Sequence, residues 1–331
     1  MSFWKSSNRQ KNRRPILRFI FTWLTALLVL PVNAATQPVL QDSDPPPKQY
    51  RLSLDKVWQV DTPAGERFDA SALLWTTNHQ LLTVNDRGPD LFQIVFPEGK
   101  GAPVIKAMPG MFSQAQFARF ASQKKTRFDT EGIGQDEQGR FYICEETDRW
   151  ILRLDPATRQ VERLAIDWEP VRQHFDPKDT NASFEGVAVG DGKLYVANER
   201  SHCRILVADL TSLKVTDNFL VRPINNNAAD FHYTDLCYFE QSLWVLLRDV
   251  RTVLQVDPAT HQLKAQFDFA HLELRPDLAY LSSFVTGSME GLAVTKDEIW
   301  LITDNNGLGR LKFPKDIRPT LLKCPRPDRV P

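Results

Sequence analysis

The sequence predicts an all-β chain folded as a β-propeller, and three observations predict it. A short segment opening on a polar, usually acidic residue recurs five times along the 331 residues. The clearest copies are Thr130-Glu131-Gly132-Ile133-Gly134, Phe184-Glu185-Gly186-Val187-Ala188 and Met289-Glu290-Gly291-Leu292-Ala293; Thr234-Asp235-Leu236-Cys237 and Ala70-Ser71-Ala72-Leu73 are weaker. Further strand-like segments follow each copy, giving four β-segments per unit joined by turn residues such as Asp191-Gly192. The steps from Ser71 to Glu131, Glu185, Asp235 and Glu290 are 60, 54, 50 and 55 residues, the size of one four-stranded blade.

Taken in order, residues 1–34 read as an export signal. Lys5, Arg9, Lys11, Arg13, Arg14 and Arg18 are basic, residues 16–32 are largely apolar, and Val32-Asn33-Ala34 fits a small-residue cleavage site. The apolar stretch is short for a membrane span, and Arg18 interrupts it. Residues 12–18 resemble a twin-arginine pattern, but an ordinary basic leader accounts for them as well. A periplasmic or secreted destination is therefore expected, with no membrane partner after cleavage.

Residues 35–64 follow as an N-terminal segment, and residues 65–331 hold the propeller. The second unit runs through Phe141-Tyr142-Ile143-Cys144, Trp150-Ile151-Leu152 and Val161-Glu162-Arg163-Leu164. The third and fourth repeat that order. The fifth shows residues 290–294, 299–303 and 310–313 but lacks a clear fourth strand, which residues 50–54 or 57–60 are placed to supply, closing the ring. Five blades are counted, and a sixth, degenerate one stays open. A short helical insertion is expected near residues 111–125.

The small residues beside each acid have a packing explanation, because innermost strands converge on the axis. The acids do not. In a hairpin the first strand begins where the second ends, so Glu131 falls beside Glu145 and Glu146, Glu185 beside Glu199, Glu290 beside Asp304, Asp235 beside Arg248 and Ser71 beside Asp86. Asp86, Glu131, Glu146, Glu185, Glu199, Asp235, Glu290 and Asp304 are thus eight carboxylates expected around one mouth of the channel. Like charges gathered in a partly desolvated funnel require cations or protons. Arg87, Arg200 and Arg248 offset part of the charge. A hard, oxygen-seeking ion such as calcium suits the remainder, since no His/Cys cluster suggests zinc.

Six of the 41 basic residues lie in the export signal, which leaves 35 against 41 acids, a balance of −6. With no basic run, nucleic acid is excluded as a main partner. Four cysteines without CxxC spacing allow three complete pairings, and Cys144 and Cys237 sit in apolar strand patterns as buried thiols. His174, His202 and His232 lie near the mouth with no recognisable nucleophile partner. No G-x-S-x-G elbow is present.

Residues 81–88, Asp129-Thr130-Glu131-Gly132-Ile133, Ser183-Phe184-Glu185-Gly186-Val187 and Met289-Glu290-Gly291-Leu292, with the partner acids Glu146, Glu199 and Asp304, resemble the phytase-like family described as "esterase-like activity of phytase". The resemblance covers about residues 65–315. It implies a calcium-dependent hydrolase of phosphoesters or carboxylic esters; a monomer acting on a small anionic or ester substrate is expected. In that reading Glu131, Glu185, Asp235, Glu290 and Asp304 supply metal ligands, Glu146 or Glu199 is the general base, and Arg87, Arg200 and Arg248 bind substrate. The few basic residues make a multiply phosphorylated substrate such as phytate unexpected. Alternatives are a propeller lactonase and a non-catalytic propeller that binds a ligand or protein at the same mouth.

Overall fold

The structure, a computed structural model, describes residues 45–112, 116, 120, 128–179, 182–228 and 230–329. Residues 1–34, expected as an export signal, lie outside them, as does most of the helical insertion expected at 111–125.

The strands, in chain order, are β1 (Lys48–Arg51), β2 (Lys56–Gln59), β3 (Ala70–Trp75), β4 (Leu81–Asn85), β5 (Gly88–Val95), β6 (Val104–Ala107), β7 (Thr130–Gln135), β8 (Phe141–Glu145), β9 (Trp150–Asp155) and β10 (Gln160–Arg163). They continue as β11 (Phe184–Gly190), β12 (Lys193–Asn198), β13 (Arg204–Asp209), β14 (Lys214–Phe219), β15 (Tyr233–Phe239), β16 (Ser242–Leu247), β17 (Thr252–Val256), β18 (Leu263–Asp268), β19 (Met289–Val294), β20 (Glu298–Thr303) and β21 (Thr320–Pro325). A single-turn helix, α1 (Ala270–Glu273), follows β18.

These strands form five sheets, each built on consecutive antiparallel strands, so the propeller has five blades. The ring closes as expected on its N-terminal segment: β2 pairs antiparallel with β21 as the outermost strand of blade five. The neighbouring strand β1 goes elsewhere, adding in parallel to β18 as a fifth strand of blade four. In blade five the third strand is β21, not residues 310–313; Arg310 and Phe313 form only an isolated bridge within a long connection. Leu321, Leu322 and Cys324 give β21 the buried residues that a central strand needs, whereas Leu311 and Phe313 are exposed.

Five hydrophobic clusters fill the five gaps between neighbouring blades. Ile133, Ile143 and Leu152 pack against Leu82 and Val84 between blades two and one. Trp300, Ile302 and Leu321 pack against Ala70 and Leu73 between blades five and one. This burial of β-branched and aromatic side chains between sheets is the main driving force for the ring.

At the axis the inner strands approach too closely for side chains. A Cβ on Gly132 would lie 2.6 Å from the Glu185 carbonyl oxygen, and one on Gly186 would lie 2.7 Å from the Asp235 Cα. The repeated Gly is therefore a packing requirement. All four cysteines are free thiols, with Cys144, Cys203 and Cys324 buried. Among the described residues, no helix is long and apolar enough to cross a membrane.

Candidate functional site

Every blade carries a β-bulge at the top of its innermost hairpin, and the bulge defines the site. Thr130 pairs with Glu145 and Gly132 with Cys144, which leaves Glu131 as the extra residue. The same slip falls at Ser71, at Glu185 and Gly186, at Thr234 and at Glu290. Such a bulge turns its extra residue away from the ladder, here at the mouth. The ring position is consequently held by Ser71, Glu131, Glu185, Thr234 and Glu290.

Asp235 is thus one residue out of register with the other acids. Asp235 pairs with Leu246 as Gly132 pairs with Cys144, so it occupies the glycine position of its blade. Its carboxylate is fully buried and accepts the backbone N–H groups of Leu73 at 3.0 Å, Leu292 at 2.7 Å and Leu236 at 2.8 Å. These belong to blades one, five and four. The side chain, expected among the metal ligands, is here a clasp across the axis.

Two further rings flank the bulge residues. The residues that follow the second strands are Asp86, Glu146, Glu199, Arg248 and Asp304, and those that precede the inner strands are Asp69, Asp129, Ser183, His232 and Ser288. Backbone bonds join the two sets: Glu146 N–H donates to the Asp129 carbonyl at 2.9 Å and Glu199 N–H to the Ser183 carbonyl at 2.8 Å. Asp69 and Asp129 join the mouth without having been expected there. Their signal is the doublet Arg67-Phe68-Asp69 and Arg127-Phe128-Asp129, one repeat apart.

Within these rings Glu146, Glu185 and Glu199, all buried, each bring an oxygen within 4.8 Å of the others. Asp86, Asp129 and Glu131 form a second such group. Burial, followed by the nearby Asp129 and Glu199, pushes the Glu146 carboxyl up to about 8. Burial, then Glu199, Glu131 and Glu146, raises Glu185 well above the ordinary carboxylate range. Glu131 is raised in the same way by burial and by Glu146. Burial and the neighbouring Asp69 move Asp304 to about 7. The mouth therefore stores like charge that a proton or a cation must neutralise.

Blade four brings no acid to the rings and supplies the counter-charge instead. Arg248 donates to Glu199 at 2.9 Å and to Glu290, its neighbours on blades three and five. Arg200 pairs with the other oxygen of Glu199 and with Asp179 at 3.3 Å. Both oxygens of Glu199 are thus engaged by arginine, whereas Glu146 faces mainly other carboxylates. Arg87 lies at the rim, 43% exposed, 3.7 Å from Asp69. The adjacent acids Glu145 and Glu146 divide their roles: Glu145 accepts the Asp129 N–H at 3.4 Å and the Asp148 N–H at 2.9 Å, which fixes it in the loop.

Of the histidines, His232 occupies a ring position on blade four, where burial lowers its pKa. His174 is held at 3.3 Å by Arg204, and burial together with that cation brings it down to about 4. At the other end of the channel a cavity of about 480 Å³ is lined by Leu73, Ile133, Val187, Leu236 and Val294 and holds none of the ring carboxylates. Leu73 and Leu236 flank the Asp235 clasp, which marks the boundary between the acidic mouth and this apolar chamber.

A search of curated proteins finds no match. Among solved structures, Myxococcus xanthus glutaminyl cyclase superposes with a TM-score of 0.55 at 13% identity, covering 84% of this chain and 97% of that one. Virginiamycin B lyase from Staphylococcus aureus gives a TM-score of 0.40 at 10% identity, over 78% of this chain and 66% of that one. At these identities the first likeness concerns the fold alone. The family described as "Phytase-like: Esterase-like activity of phytase" matches residues 68–307, a span that begins next to Asp69 and ends beyond Asp304, and the chain belongs to that family.

Proposed function

We propose that the acidic mouth is the active site of an exported hydrolase that acts on small carboxylic esters or monophosphoesters with a bound divalent cation, calcium by its chemistry. The observation that carries this reading is the convergence of Glu146, Glu185 and Glu199 within 4.8 Å in a buried setting. The donor set is carboxylate only, which suits a hard ion taking six to eight oxygens. Within this group Glu185 is the ligand, joined by Glu131, Glu290 and Asp304 from the rings, while Glu146 and Glu199 stand beside the ion; Asp235 is not in the set, because backbone amides occupy it. When bound, the cation supplies charge that polarises an ester oxygen and acidifies water.

The chain's own groups divide the remaining work. Glu146, with no arginine paired to its carboxylate among the described residues, is the general base that takes the proton from water, a role for which a carboxyl tuned above its usual range is suited. Glu199 is the less suitable base, since Arg200 and Arg248 hold both its oxygens, and it acts by positioning them. Arg87 is the exposed rim cation that meets an anionic substrate. With Arg200 and Arg248 committed to carboxylates, the mouth has little capacity for several phosphates, which favours substrates of low charge.

The test is hydrolysis of p-nitrophenyl acetate, p-nitrophenyl phosphate and a panel of lactones, with EDTA and after calcium is returned. Turnover abolished by EDTA, restored by calcium and lowered roughly 10²- to 10⁴-fold in Glu146→Gln is expected. Absence of turnover on every substrate, or turnover indifferent to chelation, would remove the proposal.

A further inference from the structure

Seven large apolar side chains are exposed among the described residues, and six of them lie on two loops. Leu281, Phe284 and Val285 stand on the connection from α1 to β19, and Leu308, Leu311 and Phe313 on the connection from β20 to β21. Exposure reaches 61% for Leu281, 56% for Phe284 and 76% for Val285. Soluble surfaces scatter such residues singly, so a concentration on one side of the molecule marks an interaction surface.

The two loops form one unit and both leave from the mouth. Leu311 N–H donates to the Ala279 carbonyl at 2.9 Å, Arg310 to the Asp277 carbonyl at 2.8 Å, and the Tyr280 hydroxyl to the Arg318 carbonyl at 2.8 Å. Gly287, two residues beyond Val285, packs so tightly that a Cβ there would lie 2.2 Å from the Arg248 carbonyl oxygen. The second loop starts at Asp304.

Charge on this ledge is opposite to the balance of residues 35–331. In Leu311-Lys312-Phe313-Pro314-Lys315, both lysines are exposed between exposed apolar residues. Asp316, the adjacent acid, is bound by Arg310 at 2.5 Å and by Arg318 at 2.8 Å, and Asp277 is bound by Arg275 at 2.8 Å. Arg318 also meets Asp61 at 2.8 Å. Five basic groups against four acids, Asp61, Asp277, Asp304 and Asp316, leave the ledge locally positive. The balance of −6 over residues 35–331 gave no hint of this, because the two lysines are too few to form a basic run and half of the apolar residues come from the other loop.

We propose that this ledge docks the protein on an anionic lipid surface, with Phe284, Val285, Leu311 and Phe313 entering the interface and Lys312 and Lys315 meeting the headgroups. Exposed loop segments that alternate apolar and basic residues fit a bilayer interface, which yields around them. Repulsion from the acidic rings is limited by ionic screening over about 8–10 Å and by the arginines that already bind those acids. Docking brings the mouth to the interface; it does not depend on any reaction there.

The experiment is sedimentation of the purified protein with vesicles of phosphatidylcholine alone and with one-third phosphatidylglycerol, in EDTA so that calcium bridging cannot mimic docking. Binding to the anionic vesicles is expected. Phe284→Ser/Val285→Ser and, separately, Leu311→Ser/Phe313→Ser should each lower partitioning at least tenfold, and Lys312→Gln should lower it about fivefold, with thermal unfolding unchanged because these side chains are exposed. Failure of the unmodified protein to bind overturns the proposal. Equal binding by the serine variants does so too, since it places the contact elsewhere, such as on residues 16–32. Self-association lost in those variants without vesicle binding would assign the ledge to a second copy of the chain instead.

Discussion

Arg248 on blade four places Nη2 2.9 Å from Oε1 of Glu199 on blade three, while its other nitrogen reaches Glu290 on blade five. One guanidinium therefore ties three blades together over a set of buried acids. Removing it strips Glu290 of this cation and leaves Glu199 with Arg200 alone, and uncompensated buried charge is costlier than the pair was favourable. Arg248→Met is expected to lower stability by about 3–5 kcal/mol at neutral pH. Adding Glu199→Gln should recover part of that loss. Urea unfolding of the two single variants and the double gives the coupling directly, and purely additive effects would contradict the assignment.

The Asp235 clasp predicts a different pattern. Its carboxylate accepts Leu73 and Leu292 N–H groups from two other blades. Asp235→Ala strands those buried donors at about 1–3 kcal/mol each, so a strongly destabilised ring is expected. Asp235→Asn retains one acceptor oxygen and should cost less. Neither change should alter calcium affinity in protein that remains folded, whereas Glu185→Gln should weaken it at least tenfold. Calorimetric calcium titration separates the two acids.

Much of this arrangement was legible because Glu-Gly carries two independent signals, an acid at a bulge and a glycine at a crowded axis. Three copies in order were enough to place Glu131, Glu185, Glu290 and the acids ending the partner strands. Thr234-Asp235 is harder to read because its acid stands one residue beyond the bulge, and that slip turns the side chain onto backbone amides. Sequence spacing alone does not resolve a bulge. Asp69 and Asp129 were missed because their repeat appears in only two blades, and β21 because a long, partly apolar connection displaces it from the expected interval.

Crowding at the axis makes Gly132 a sensitive position. A methyl group there meets the Glu185 carbonyl oxygen at 2.6 Å and the Val187 nitrogen at 2.7 Å, both backbone atoms that cannot rotate away. Gly132→Ala is expected to cost about 1–3 kcal/mol through overpacking and to displace Glu185 from its partners. Gly192 supplies the control: it has a φ of +72° with open space around it, so alanine there strains only the turn. Comparison of thermal unfolding and calcium affinity should show both properties changed in the first variant and only stability in the second.

The raised carboxyls make stability and cation binding depend on pH in a defined direction. Glu146 moves up to about 8 and Asp304 to about 7, and Glu131 and Glu185 also rise. Each binds its proton more tightly folded than unfolded, where ordinary values near 4 apply. Their favourable contribution is complete below those ordinary values and is lost as pH rises through the folded values. In EDTA the unfolding temperature should therefore fall between pH 5 and pH 8.5. A cation competes with those protons, so the increment produced by calcium should be small at pH 5.5 and largest at pH 8.5. Thermal unfolding at pH 5.5, 7 and 8.5 with EDTA or calcium tests both halves, and a calcium increment that shrinks with rising pH would rule out carboxylate binding at the mouth.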